Sequence, residues 1–313
     1  MPHHALIGSR IATWVKELPA GNLYAPMAYL MGLPAKRVRP VLTLMACELF
    51  GGRAEDALDP ALGIEVFHNF TLMHDDIMDG SPTRRGRPAV HVRWDVPTAI
   101  LSGDAMLVMA QELMAGDPRI AALFARHALM VCEGQQMDMD FERRADVTLE
   151  EYQAMIRLKT ATLLSCALQV GAMRAGADDA HCAMIARFGE ELGLAFQVKD
   201  DLLDAFGDPA VTGKQRGGDL RAGKRTGLLL RALAWGDARG DHALRHELAK
   251  PPADRELGTI MAAVERSGAR AATEERYRAH HHAALRALEA IDLPGERHAP
   301  LRRMAEGLLE RTA

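Results

Sequence analysis

Two segments of this chain stay apolar nearly all the way round a helix, and they constrain its fold more than any other feature. Residues 60–74 ("PALGIEVFHNFTLMH") and 159–173 ("KTATLLSCALQVGAM") carry helix formers with hardly a polar stripe. A helix tolerates that only when other elements cover every side. No sustained alternating β-branched pattern competes, and aromatics make up only 5% of the residues. The periodicity predicts helices at roughly 5–17, 23–31, 38–50, 55–79, 96–115, 117–142, 149–175, 179–205, 225–236, 241–249, 254–291 (broken) and 297–311. Breaks fall at "LPAKRVRP", "GSPTRRGRP", "TGKQRGGDLRAGKR" and "KPPADR", all rich in Gly, Pro or charge. No repeat period or low-complexity linker interrupts the pattern. The expectation is one all-α domain over 1–313, with central helices wrapped by others.

At 313 residues the chain is long enough for a substantial core. Its formal net charge of -4 gives no global attraction to nucleic acid or an anionic membrane, so any polyanion chemistry must be local. Cys47, Cys132, Cys166 and Cys182 form no C-x-x-C pair, which argues against a zinc or disulfide framework and fits a reducing compartment. The N-terminus lacks the apolar core of a signal peptide, and no stretch reaches the roughly 18 to 20 apolar residues of a membrane span. We expect a cytoplasmic protein with no nucleic-acid partner and no stable membrane insertion.

The first apolar run ends in "HDDIMD". Asp75 and Asp79 share a helix face, with Asp76 beside them. Like charges at that spacing repel, and burial nearby worsens their desolvation. A lone D-D-x-x-D reads equally well as solvated acids at an exposed helix end. The pattern recurs, however, in "QVKDDLLDAFGD", where Asp200, Asp201 and Asp204 repeat the spacing at the end of another long helix. Six such carboxylates call for cations if they converge. Hard oxygen ligands favour Mg²⁺, which prefers a few carboxylates plus substrate phosphates to an all-protein cage. Basic residues supply the complement: Arg84 and Arg85 after the first motif, Lys214 and Lys224 after the second, and Lys36, Arg37 and Arg39 in "AKRVRP". Arginine grips phosphate with a forked donor and lysine as a point charge.

Taken with "KRVRP", "RRGRP", "GQQMD", "LKTATLL" and "FQVKDDLLDAFGDPAVTGKQRGGDLRAGKRT", the chain resembles the trans-prenyltransferases, or polyprenyl diphosphate synthases. The likeness runs in order from about residue 22 to 235, with Ala35 where the family usually has glycine. It implies an isoprenoid-synthase fold of roughly 10–13 helices around a deep substrate cavity. It also implies head-to-tail joining of isopentenyl diphosphate to an allylic diphosphate, with loss of pyrophosphate. By that likeness Asp75 and Asp79 would hold two Mg²⁺ and Asp200 a third, while Asp76, Asp201 and Asp204 act partly through waters. Arg84, Lys159, Lys214 and Lys224 would bind the allylic diphosphate, and Lys36, Arg39, His68 and Arg85 the isopentenyl diphosphate. Thr160 and Gln197 would steady the carbocation, and Gln135 and Asp138 would support the metal site. His280, His281 and His282 read as a solvated face.

The resemblance further implies that the growing tail runs down from Asp75. Phe70, with Phe67 one turn deeper, would form its floor, and small Thr71 would leave room. That pattern favours geranylgeranyl diphosphate, with farnesyl diphosphate next. A homodimer is expected from the family and from surplus apolar surface. Two rival readings fit less well. A silent subunit of a heteromeric synthase would have lost an aspartate motif, and a terpene cyclase would lack "KRVRP" and the second motif.

Overall fold

The computed structural model describes residues 2–208 and 216–309. Apart from one two-stranded hairpin, every regular element among them is helical. The contacts divide the chain into two compact units, Met1–His127 with Cys166–Ala186, and Ala128–Ser165 with Arg187–Ala313.

In the first unit α1 (Pro2–Glu17), α2 (Ala25–Gly32) and α3 (Val38–Leu49) precede the long α4 (Leu58–Met78). α4 packs chiefly on α6 (Val96–Met114) and on α3. Pro60 to Phe67 are all buried, as the all-round apolar pattern requires. Burial of one side chain such as Phe67 is worth about 2–3 kcal/mol. α4 ends where Gly80 turns to φ 61 and Ser81 N–H bonds the Asp76 carbonyl at 2.9 Å. The segment "GSPTRRGRP", expected as loop, contains a tight hairpin, β1 (Thr83–Arg84) against β2 (Arg87–Pro88), in register Thr83↔Pro88. Its two turn residues, Arg85 and Gly86, both have positive φ (54 and 72). That is the turn which matches strand twist, and it favours glycine at both positions. Arg85 therefore carries backbone strain. α5 (Val90–Arg93) leads from the hairpin to α6, whose N-cap Asp95 accepts from Thr98 N–H at 2.7 Å.

The second unit takes part of α7 (Pro118–Glu142), α8 (Leu149–Ile156) and the larger part of α10 (Asp179–Phe206). α8 starts on a capping box: the Thr148 hydroxyl and Glu151 carboxylate each take the other's backbone N–H. Between α8 and α9 (Thr162–Arg174) lies one π-helical turn, Arg157–Ala161. α11 (Gly218–Ala222), α12 (Gly227–Asp237), α13 (Ala243–Leu248), α14 (Leu257–Arg266), α15 (Ala269–Glu289) and α16 (Gly295–Leu309) follow. Leu202 and Ala205 of α10 pack with Leu228, Leu229, Ile260 and Val264, which anchors the end of the second aspartate helix.

The expected helices agree with those observed to within a few residues, and the break foreseen in 254–291 falls at Gly268, φ 72. The three histidines do not form the solvated face expected of them. His280 and His281 are half-buried and His282 alone is exposed. The His280 ring lies 2.7 Å from Glu191 because it points inward against α10, while His281 stacks on His282.

Candidate active site

At the end of α4 the three acids of the first motif part company. Asp76 is 1% exposed, Asp75 is half-buried and Asp79 exposed. Arg84, brought back by the hairpin, donates to Asp76 from Nε (3.0 and 3.1 Å) and from Nη2 (2.5 Å), and its Nη2 lies 3.7 Å from Asp75. Burial raises the Asp76 carboxyl above its ordinary range, while the guanidinium pulls it back down. Arg84, expected on the allylic diphosphate, is thus also the counter-ion of the middle aspartate.

The residues expected on isopentenyl diphosphate gather on the same unit. An Arg39 Nη1 lies 3.3 Å from His68 Nε2, and Arg85 Nη1 lies 3.5 Å from Asn69 Oδ1. Burial, then Arg39, Arg85, Arg84 and Arg37, push the His68 imidazole well below its usual pKa, so the ring is neutral. Arginine can only donate, so His68 Nε2 accepts and its proton sits on Nδ1. Lys36 is exposed beside them in sequence. Arg37, φ 47, is spent on structure: it binds Glu65 and the Met31 and Leu33 carbonyls. Arg37 and Arg85 are the described non-glycine residues with positive φ. Asn69 and Glu65, buried partners of this cluster, were missed in the sequence because single polar residues on an apolar helix look incidental.

Below Asp75, the Thr71 hydroxyl donates to the His68 carbonyl at 2.8 Å. Phe70 is 8% exposed and Phe67 fully buried. Phe67 stacks edge-on with Phe124 of α7 at 5.2 Å and lies 5.4 Å from Phe70.

In the second unit a cavity of about 100 Å³ is lined by Asp138, Lys159, Thr160, Gln197, Asp201 and Lys224, all named from sequence. The π turn aims Lys159 and Thr160 into it. That turn sits very close to its neighbours: a Cβ on Gly134 would stand 2.3 Å from Lys159 N, and one on Gly193 2.4 Å from the Ala161 Cα. Lys159 Nζ reaches Asp138 at 2.6 Å. Thr160 Oγ1 donates to Gln197 Oε1 at 2.9 Å, and Gln197 Nε2 donates to Asp201 Oδ1 at 3.0 Å. Tyr152, which no motif flagged, donates to Asp201 Oδ2 at 2.6 Å. Burial is the largest influence on Asp201 and raises its carboxyl to about 7, against the pull of those two donors. Asp200 is exposed, and Asp204 Oδ2 accepts from Asp219 N–H at 2.9 Å. Gln135 is half-buried on α7, and Lys214 lies outside the described residues.

Each D-D-x-x-D therefore holds its middle acid inside and leaves its first acid toward solvent. Among the described residues no group of three His, Cys, Asp or Glu side chains could hold a metal ion by itself. The accessible donors Asp75, Asp79 and Asp200 are hard carboxylate oxygens, the set suited to magnesium completed by phosphate.

The Polyprenyl synthetase family model matches residues 21–264. A short chain isoprenyl diphosphate synthase of Methanothermobacter thermautotrophicus is 40% identical over 72% of this chain and 71% of its own. A crystal structure of a geranylgeranyl pyrophosphate synthase aligns over 100% of this chain and 98% of its own, with TM-score 0.94 and 40% identity. The geranylgeranyl pyrophosphate synthase of Corynebacterium glutamicum, solved with isoprenyl diphosphate and magnesium, aligns with TM-score 0.88 and 28% identity over 98% of both chains. The chain belongs to the polyprenyl synthetase family. It is a prenyltransferase of the short-chain prenyl diphosphate synthase type.

Proposed function

We propose that this enzyme makes geranylgeranyl diphosphate, with farnesyl diphosphate the second choice, by magnesium-dependent head-to-tail condensation. The observation that carries the site reading is the split within each aspartate motif: the middle acid is buried and held, and its neighbours are half-buried or exposed. Asp75 and Asp79 would hold two magnesium ions and Asp200 a third. Bound magnesium would neutralise charge building on the departing pyrophosphate. Arg84, Lys159, Lys214 and Lys224 grip the allylic diphosphate. Lys159 then exchanges Asp138 for phosphate, and Arg84 extends its donors beyond Asp76. Lys36, Arg39 and Arg85 bind isopentenyl diphosphate, and the His68 Nδ1–H adds a neutral donor. Thr160 and Gln197 present oxygen dipoles to the carbocation, which the isopentenyl double bond attacks. Asp76, Asp201, Asp204, Gln135 and Asp138 hold this set in place.

The chain works as a single prenyltransferase domain, and as a cytoplasmic homodimer. Val96, Ile100, Leu101 and Val108 lie on one side of α6 and are 42–67% exposed, which supports self-association. No helix among the described residues is long and apolar enough to cross a membrane. For the product, Phe70 as the floor under small Thr71 supports a twenty-carbon chain.

The test is incubation with isopentenyl diphosphate and each allylic diphosphate in turn, with Mg²⁺ or excess chelator, followed by product sizing. Turnover should vanish in chelator and return with Mg²⁺. Phe70→Ala should lengthen the product by at least one isoprene unit. An unchanged product distribution would remove Phe70 from the floor.

A further inference from the structure

Tyr152 lines the same cavity as Lys159 and Thr160 but has no part in the reaction described so far. It is 5% exposed, and its hydroxyl is committed to Asp201, itself 5% exposed. The bonds beyond it form a chain with one direction. Asp201 accepts on both oxygens, from the Tyr152 hydroxyl at 2.6 Å and from the Gln197 NH₂ group at 3.0 Å. That turns the Gln197 carbonyl toward Thr160, whose hydroxyl proton is then used at 2.9 Å. With its one proton given to Gln197, Thr160 has only lone pairs to present elsewhere. Lone pairs stabilise a neighbouring carbocation, whereas an O–H directed at it repels. The direction of the whole chain thus rests on Asp201 accepting from both sides.

Every link has an independent support. The π turn under Thr160 is fixed by the close approaches at Gly134 and Gly193. Gln197 and Asp201 are one turn apart on α10. Tyr152 lies on α8, whose start is set by the Thr148 capping box. Remove the Tyr152 hydroxyl and one Asp201 oxygen loses its donor. The carboxylate can then turn, and the Gln197 amide is no longer held in one orientation.

We propose that Tyr152 is a positioning residue for the condensation: by holding Asp201 as a double acceptor, it fixes Gln197 and aims the lone pairs of Thr160 at the allylic carbocation. This deepens the reaction assigned above and rests on it. A tyrosine that merely fills core would contribute stability, but its loss would act independently of Thr160.

A double-mutant cycle of Tyr152→Phe and Thr160→Val separates the two, read as single-turnover rate, kcat and KM for isopentenyl diphosphate. Tyr152→Phe should lower the single-turnover rate about tenfold, the loss of one hydrogen bond to a charged group, and leave that KM within about twofold. On the Thr160→Val background the same change should cost less than about twofold, because the lone pairs it serves are gone. Rate losses that multiply, or an unchanged rate in Tyr152→Phe, would overturn the proposal. Should the phenylalanine variant lose its helical signal, Tyr152→4-aminophenylalanine keeps a ring donor at the same reach. Thr160→Val should then cost as much as in the wild type, and a silent Thr160→Val there overturns the proposal equally. A wild-type protein that forms no prenyl diphosphate would instead overturn the reaction itself, whatever the cycle gives.

Discussion

The two D-D-x-x-D motifs are alike in spelling and differ in electrostatics. In the first, the buried Asp76 is answered by a full positive charge, Arg84, through three short contacts. In the second, the equally buried Asp201 is answered by neutral donors, Tyr152 and Gln197. A charge-assisted pair offsets much of the cost of burying a carboxylate, whereas two neutral hydrogen bonds offset less. Burial raises both carboxyls, and for Asp201 it carries the pKa to about 7. One aspartate has a charged partner, and the other has only neutral ones.

The largest effects should come where the motifs agree. Asp75→Ala and Asp200→Ala should each lower kcat by about 10²–10³, the scale for losing one preorganised electrostatic group. Both variants should keep their helical circular dichroism, since neither acid is in the buried set. Loss of folding in both would assign these acids to structure instead.

Where the motifs differ, the same substitution should act in opposite senses. In metal-free protein the folded Asp201 carboxyl titrates near 7, above its ordinary 3.8. The native state then binds the extra proton, so stability falls as pH rises from about 4 to about 7. Asp201→Asn should abolish that slope and raise stability at pH 8 by a few kcal/mol, with little gain at pH 4. Asp76→Asn removes the carboxylate from Arg84 and should destabilise at pH 8 by about 1–3 kcal/mol. Denaturant midpoints for the two variants at both pH values measure this. Parallel shifts would erase the contrast between the motifs.

The adjacent arginines sharpen the comparison further. Arg84, tied to Asp76, should on removal impair chiefly the allylic substrate. Arg85, held in the strained turn beside Asn69, should impair isopentenyl diphosphate. Each KM should rise roughly ten- to a hundred-fold, the loss of a charge-assisted contact worth about 1.5–3 kcal/mol. Equal defects in both substrates for both variants would dissolve the division.

The smallest effect is a pH slope of the opposite sign in the first unit. His68 is held neutral, well below its unfolded pKa of 6.5, by burial and then by the arginines around it. The unfolded chain takes up the proton there, so this contribution is full above about pH 6.5 and is lost as pH falls below it. His68→Asn should flatten that acid-side loss. A slope that survives the substitution would place the proton elsewhere.

Much of this was legible in the sequence because it is local. Helix periodicity and the breaks rich in Gly, Pro or charge depend on residues within a few positions of one another. The spacing of Asp75, Asp76 and Asp79, and of Asp200, Asp201 and Asp204, fixed which acids share a helix end. The types of group near them, forked arginine, lysine and a lysine-threonine pair, were visible in the same way. The sequence could not say which acid of each triplet turns inward, because that depends on what packs against the helix. For Asp76 the answer is a two-residue turn that brings back an arginine eight positions on, and for Asp201 it is a tyrosine 49 positions earlier. Nor could periodicity foresee the π turn at Arg157–Ala161 or the inward-facing His280, since both follow from close packing against other helices. Residue type and spacing determined the chemistry available, and only tertiary packing, which sets solvation and the identity of each buried partner, decided the charge state in which each group is held.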